Sequence, residues 1–250
     1  MTPLISVITV TYNAANTVAT TMHSVTAQTF TDFEHLIVDG ASSDATLDIV
    51  RKYASDRTVI MSERDNGIYD AMNKGRALAR GRYLIYLNAG DAFHRADTLS
   101  IIACSIVSNG YPGVVYGQTD IVDSKGRRLG SRHLTAPETL SVKDFSKGML
   151  VCHQAFIVRA DITSEYNTDY RFSADYEWCI KCLQRSDKNQ YIPEVLIDYL
   201  SEGVTTANHR KSLMERFKIM CRYYGVPLTV WRHLSFIPRF LTVKFGLKNR

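Results

Sequence analysis

Residues 63–91, ERDNGIYDAMNKGRALARGRYLIYLNAGD, pass from a polar loop through a helix-length stretch into an unbroken apolar strand and stop on an acid. The loop 63–67 opens a helix expected over 69–79, and 83–87 reads as a strand covered on both faces before Asn88, Ala89, Gly90 and Asp91. That order leaves few folds open. A strand apolar on both sides needs helices above and below it, the condition of a parallel sheet built from right-handed crossovers. In such sheets ligands gather beyond the carboxyl ends of the strands, so an acid delivered there by a strand is placed to hold a divalent cation. The competing reading is that Asp91 only caps the helix that follows it.

The same pattern recurs upstream. An apolar run over 4–10 ends in Thr11, Tyr12 and Asn13, and a helix is expected over 16–27. A second strand, 34–38, ends in Asp39; Ser43 or Asp44 can cap a helix over 45–53, and 58–61 is a third short strand. Strands alternating with helices imply βαβ units. Three strands thus bring Thr11-Tyr12-Asn13, Asp39 and Asp91 to one sheet edge, where an aromatic ring can stack on a base and a carboxylate can accept from an imide N–H or a ribose hydroxyl. Neither GxGxxG nor GxxxxGK[ST] occurs, which argues against dinucleotide redox enzymes and P-loop NTPases. Any phosphate has to be met by metal and side chains.

After Asp91 the regularity loosens. A helix is expected over 98–107, short strands over 114–116 and 120–122, a turn-rich basic stretch over 124–137, a strand over 155–158 after Cys152-His153-Gln154, and a helix over 174–185 with Asp175, Glu177 and Trp178 near its start. His153 and Gln154 either line a ligand site or are core residues. The five cysteines form an odd set, and the apolar run near the N-terminus is strand-length with no basic region before it, so a reduced, cytoplasmic protein is expected. Cys179 and Cys182 have CxxC spacing without a second pair, which suits helix packing better than a metal or redox site.

At this point SVITVTYN, LIVDGASSDAT, SERDNGIYDAMNKG, GRYLIYLNAGD, CHQAFIV, SADYEW and EGVTTAN resemble, in that order, the motifs of family 2 glycosyltransferases with the GT-A fold. The likeness is nearest to colanic-acid (exopolysaccharide) biosynthesis transferases of the WcaE type. It spans about residues 4–210, and the DNGIYDAMNKG block is its most specific part. The resemblance implies an α/β fold of GT-A type: a Rossmann-like, mostly parallel central sheet flanked by helices. It divides the chain into a nucleotide-sugar-binding half (1–110), an acceptor-binding half of the same domain (111–205) and a basic helical tail (206–250). The activity it implies is inverting transfer from a nucleotide-sugar donor, a UDP- or GDP-sugar, with Mg²⁺ or Mn²⁺ as cofactor.

Carried over by position, Thr11, Tyr12, Asn13 and Asp39 should meet the nucleoside, and Asp65, Asn66, Gly67 and Asp70 the donor sugar or ribose. Asn73 and Lys74 lie on the same helix, Lys74 either meeting phosphate or on a solvated face. Asp91 matches the last acid of the family's metal motif, with Asn88 and Gly90 standing where further acids are common. Asp175 matches the catalytic base, with Glu177 as runner-up; both acids could instead merely favour a helix N-terminus. His209, beside the GVTTAN turn, is a weaker site residue.

The net charge of +5 is unevenly spread. Residues 209–250 carry ten Lys/Arg against one acid, Glu215, whereas the rest carry 20 against 24. Val230, Leu234, Ile237, Leu241 and Phe245 form a helical stripe, broadened by Trp231, Phe236 and Phe240, with Arg232 and Arg239 opposite and Pro238 as a kink. No run of 18 uncharged residues exists there. A basic amphipathic helix suits an anionic membrane surface, and the competing readings are docking on the body or an oligomer contact. The expected protein is therefore cytoplasmic and peripheral to the inner face of the cell membrane, extending a polyprenyl-diphosphate-linked saccharide. Nucleic acid is not an expected partner, since no recognition motif is present. A catalytically inactive sugar-nucleotide or polysaccharide-binding protein is the alternative that Gly90 would permit.

Overall fold

The computed structural model describes residues 2–201 and 209–234. The tail stripe beyond Leu234, the whole EGVTTAN block and the side chain of His209 lie outside the described residues. Four parallel strands form one side of the sheet: β1 (Ile5–Thr11), β2 (Phe33–Asp39), β3 (Thr58–Ser62) and β4 (Tyr83–Tyr86), ordered β3-β2-β1-β4. They alternate with α1 (Val18–Thr26), α2 (Thr46–Tyr53) and α3 (Ile68–Leu78), as the apolar runs require. Two-residue periodicity sorts their side chains between the faces. Ile8, Val10, Leu36 and Val38 meet α3, while Ile5, Val7 and Ile37 point to the opposite layer.

The sheet then continues through β5 (Ala92–Phe93), β6 (Val114–Val122), β7 (Arg128–Ser131), β8 (Phe156–Arg159) and β9 (Asn189–Leu200), with α4 (Thr98–Ser108), α5 (Ala174–Arg185) and α6 (His209–Tyr224) as further helices. β8 runs antiparallel between β4 and β6, and β9 is parallel to β6. β6 and β9 therefore end at the same edge as β1 to β4. Two expected short strands, 114–116 and 120–122, are one strand, β6, whose register against β9 shifts around Gln118. β9 was not expected, because Pro193, Glu194 and Asp198 break the apolar alternation along it.

The core is continuous across both halves. Tyr69, Met72, Tyr86, Phe156, Tyr166, Trp178, Cys179, Cys182, Ile219 and Met220 belong to one buried cluster. Cys179 and Cys182 are free thiols buried in that cluster, as the packing reading expects. One glycine of the DNGIYDAMNKG block has a packing reason. A Cβ on Gly75 would lie 2.5 Å from Ile8 Cγ2, so only glycine lets α3 sit this close to β1.

Candidate active site

The first cluster at the carboxyl edge is organised by Asp39. Its Oδ1 accepts from Thr11 Oγ1 at 2.9 Å and from Ser42 Oγ; its Oδ2 accepts from Ser42 N at 2.9 Å and Ser62 Oγ at 2.8 Å. Burial opposes its ionisation, but the bonds from Ser42, Ser62 and Thr11 outweigh it and hold the carboxyl below its usual pKa. Asn13, at φ 48°, closes the loop by donating its amide to Ser42 Oγ and accepting from Ser43 N. Tyr12 stands 67% exposed above this network. Gly40 lies between Tyr12 and Asp65: a Cβ there would be 3.2 Å from the Tyr12 ring and 2.5 Å from Asp65 Oδ2. The structure thus gathers Thr11, Tyr12, Asn13, Asp39 and Asp65 around one notch. Three of the four bonds to Asp39 come from hydroxyls, which can rotate to let a nucleoside N–H or hydroxyl take their place.

The loop before α3 is fastened to the helix it opens. Asp65 Oδ1 accepts from Gly67 N at 2.9 Å, Gly67 adopts φ 114°, and Asn66 N donates to Asp70 Oδ2 at 2.9 Å. Lys74 donates to Arg64 O at 2.7 Å and pairs with Glu63 at 2.7 Å, a hydrogen bond that raises its pKa. Lys74 is therefore neither idle nor simply solvated: it ties 63–64 to α3. Asn73, expected beside the donor, spends both ends of its amide on the backbone of Tyr166, at 3.0 and 2.7 Å.

Asp91 is 4% exposed. Its Oδ2 accepts from Gln154 Nε2 at 2.7 Å and its Oδ1 from Leu200 N at 2.9 Å, and burial pushes its pKa up to about 7. It lies six residues ahead of Asp97, the residue that precedes α4, so it does not cap that helix. A divalent cation at this carboxylate would share oxygens that already accept from Gln154 and the Leu200 amide. Among the described residues no three or more His, Cys, Asp or Glu side chains gather as a metal shell. Asp91 alone among these described side chains offers a carboxylate oxygen here. Asn88 is half-buried, with Oδ1 lacking a hydrogen bond among the described residues. Gly90 has φ 106°, and a Cβ there would be 2.7 Å from Leu200 Cδ2, which accounts for glycine at a position where the resemblance implies a second acid.

The second cluster surrounds Asp175 in the first turn of α5. Tyr69 OH donates to Asp175 Oδ1 at 3.0 Å and Tyr176 N donates to the same oxygen at 2.9 Å. Its other oxygen takes no hydrogen bond from the described residues. Glu177 differs sharply. It is fully buried, with Oε2 bonded to Lys181 Nζ at 2.9 Å and Oε1 to Tyr223 OH at 3.1 Å and Arg222 Nη1 at 3.4 Å. Glu177 fastens α6 to α5. Beneath Asp175 lies an aromatic stack: Tyr166 packs flat on Trp178 with centroids 5.0 Å apart, and Tyr86 and His153 close around them. His153 Nε2 meets Tyr166 OH at 2.8 Å, and burial lowers its pKa to about 4. It is a core histidine, whereas Gln154 is part of the Asp91 network.

The family model of glycosyl transferase family 2 matches residues 6–166, well over half the chain. The chain belongs to that family. A "PGL/p-HBAD biosynthesis glycosyltransferase" of Mycobacterium bovis (strain BCG / Pasteur 1173P2) is 36% identical over 236 residues, covering 91% of this chain and 89% of the relative. Among solved structures, S. aureus TarS 1-349 in complex with UDP-GlcNAc superposes with a TM-score of 0.71 at 19% identity, over 98% of this chain and 76% of that one. TarS 1-349 in complex with UDP is matched over 64% of its length. The mannosyltransferase PcManGT from Pyrobaculum calidifontis, in complex with GDP-Man and Mn²⁺, gives 0.64 at 15% identity, over 98% and 80%. At these identities the structures speak for the fold alone, and they match the mostly parallel, helix-flanked sheet of this family member.

Proposed function

We propose that the protein is an inverting glycosyltransferase that moves a sugar from a nucleotide-sugar donor to a lipid-linked saccharide in exopolysaccharide biosynthesis, with Asp175 as general base. One observation carries this reading. Of the two acids in the first turn of α5, Asp175 is half-exposed with one oxygen unbonded among the described residues, while Glu177 is buried and committed to Lys181, Tyr223 and Arg222. In the proposed reaction the open oxygen removes the proton of an acceptor hydroxyl as that oxygen attacks the anomeric carbon. The new glycosidic bond forms on the face opposite the nucleotide diphosphate, which leaves with the electron pair of the bond it breaks. The notch of Tyr12, Asp39, Gly40 and Asp65 supports a nucleoside site, in keeping with the relatives and neighbours named above.

A panel of UDP-, GDP- and dTDP-sugars, screened by thermal shift with Mn²⁺, with Mg²⁺ and with EDTA, tests the donor and its need for metal together. Binding to the folded state adds RT ln(1 + [L]/Kd) to stability; a panel that raises the melting temperature nowhere would overturn the donor reading.

The lipid side of the proposal rests on the C-terminal region. Residues 226–234 are helical after Gly225, and Val226, Val230, Trp231 and Leu234 are exposed there, Trp231 at 68%, as are Leu213 and Met214 on α6. Among the described residues no helix is long and apolar enough to cross a membrane. Exposed apolar groups within the basic tail suit shallow insertion into an anionic surface, where each basic residue contributes ~1 kcal/mol. Sedimentation with liposomes is expected to require anionic lipid and to weaken with salt, since the attraction decays over ~8 Å at physiological ionic strength. Truncation after Gly225 is expected to abolish it while nucleotide binding persists. Loss of folding on truncation would make this segment a structural helix instead.

A further inference from the structure

We infer that Tyr69 is a positioning residue that links the donor loop to the base, holding the Asp175 carboxylate by one oxygen so that the other faces the acceptor. The inference rests on the reading of Asp175 as base. Tyr69 is the second residue of α3, two positions after Gly67, and α3 is opened by the loop that carries Asp65 and Asn66. Its hydroxyl nevertheless reaches across the sequence by 106 residues to Asp175 Oδ1. Whatever fixes the start of α3 therefore also fixes one end of the hydrogen bond on Asp175.

The phenol has little freedom to do anything else. It is buried, and its ring stacks on Tyr166 with centroids 5.7 Å apart. Tyr166 in turn stacks on Trp178, which belongs to α5 itself, and the Tyr166 backbone is held at both its N–H and C=O by Asn73 of α3. Asn73 and Tyr69 thus clamp one aromatic residue from one helix, four positions apart on the same face. Burial and the neighbouring Asp175 push the Tyr69 hydroxyl well above the ordinary tyrosine range, so it remains a neutral O–H donor. The Tyr176 amide supplies the second bond to Oδ1. With both donors on one oxygen, rotation of the carboxylate is restrained while Oδ2 keeps its lone pairs for a substrate proton.

Tyr69→Phe tests this directly, because it keeps the stacked ring and removes only the donor. Losing a hydrogen bond to a charged group and a sub-ångström constraint on a reacting atom is expected to lower kcat by about ten- to a hundredfold. Donor Kd and acceptor KM should stay within about twofold, with the melting temperature essentially kept. Placed in Asp175→Asn, Tyr69→Phe should produce no further loss in residual turnover, since the hydroxyl acts only through that carboxylate. Unchanged kcat in Tyr69→Phe, a rise in KM or donor Kd in its place, or an equal loss in the Asp175→Asn background would each overturn the inference. The reading beneath it fails separately: an active Asp175→Asn removes the base, whereas an inactive Asp175→Asn with a normal Tyr69→Phe removes only the role of Tyr69.

Discussion

Asp175→Asn is expected to lower turnover by about 10²–10⁴ while donor affinity stays within a few-fold. A general base acts on the acceptor hydroxyl only as it attacks, so its loss appears in kcat and leaves ground-state donor binding alone. Asparagine can still accept from Tyr69 OH and Tyr176 N through its side-chain oxygen, so the first turn of α5 should keep its shape. The contrast is with Glu177→Gln. That change weakens buried bonds to Lys181 and Arg222 and should appear as a lower melting temperature with chemistry intact in the protein that remains folded. Single-turnover transfer together with calorimetric donor titration reads both outcomes; wild-type turnover in Asp175→Asn would pass the role of base to another acid.

Asp39→Ala is expected to weaken nucleotide binding at least tenfold and to cost about 2–4 kcal/mol of stability, because Thr11, Ser42 and Ser62 all lose their acceptor at once. The effect should be the same with Mn²⁺ or with EDTA, since the partner proposed for this carboxylate is the nucleoside. It also carries a pH signature. The folded Asp39 carboxyl lies below its ordinary value, so the stability it contributes is complete above an unfolded pKa of about 4 and is lost as pH falls through the folded value. Urea unfolding of the variant should therefore have a shallower acid limb than the wild type. An unaltered nucleotide affinity would separate Asp39 from the donor site altogether.

The parallel half of the fold was legible because each of its strands is a short apolar run closed by polar residues, and the structure reproduces β1 to β4 within one or two positions. Beyond Asp91 the pattern failed where pairing depends on distant partners. β9 contains a proline and four acids or amides, and only its neighbours β6 and β5 make it a strand. The site divides in the same way. Residues at strand ends could be named, but what each one touches could not. Asp91 reads in the sequence as ligand or cap, and its actual partners lie 63 and 109 residues away. Tyr69 sat in the most specific block of the chain and looked like the start of a helix; the available signal was an aromatic placed in the first turn directly after the polar loop.

The absence of a seam in the sheet has a further consequence. β8 inserts between β4 and β6, so the strand that pairs with the parallel half arrives only after the chain has already built β6 on its far side. Exchanging 1–110 between two relatives would force foreign pairings at β4 with β8 and foreign packing beneath Trp178 at the same time. A chimera of that kind exposes unmatched strand edges, a route to aggregation. In a sheet knit together this way, change is accommodated most readily in loops such as 123–127 and 163–173, which take no part in the strand pairing.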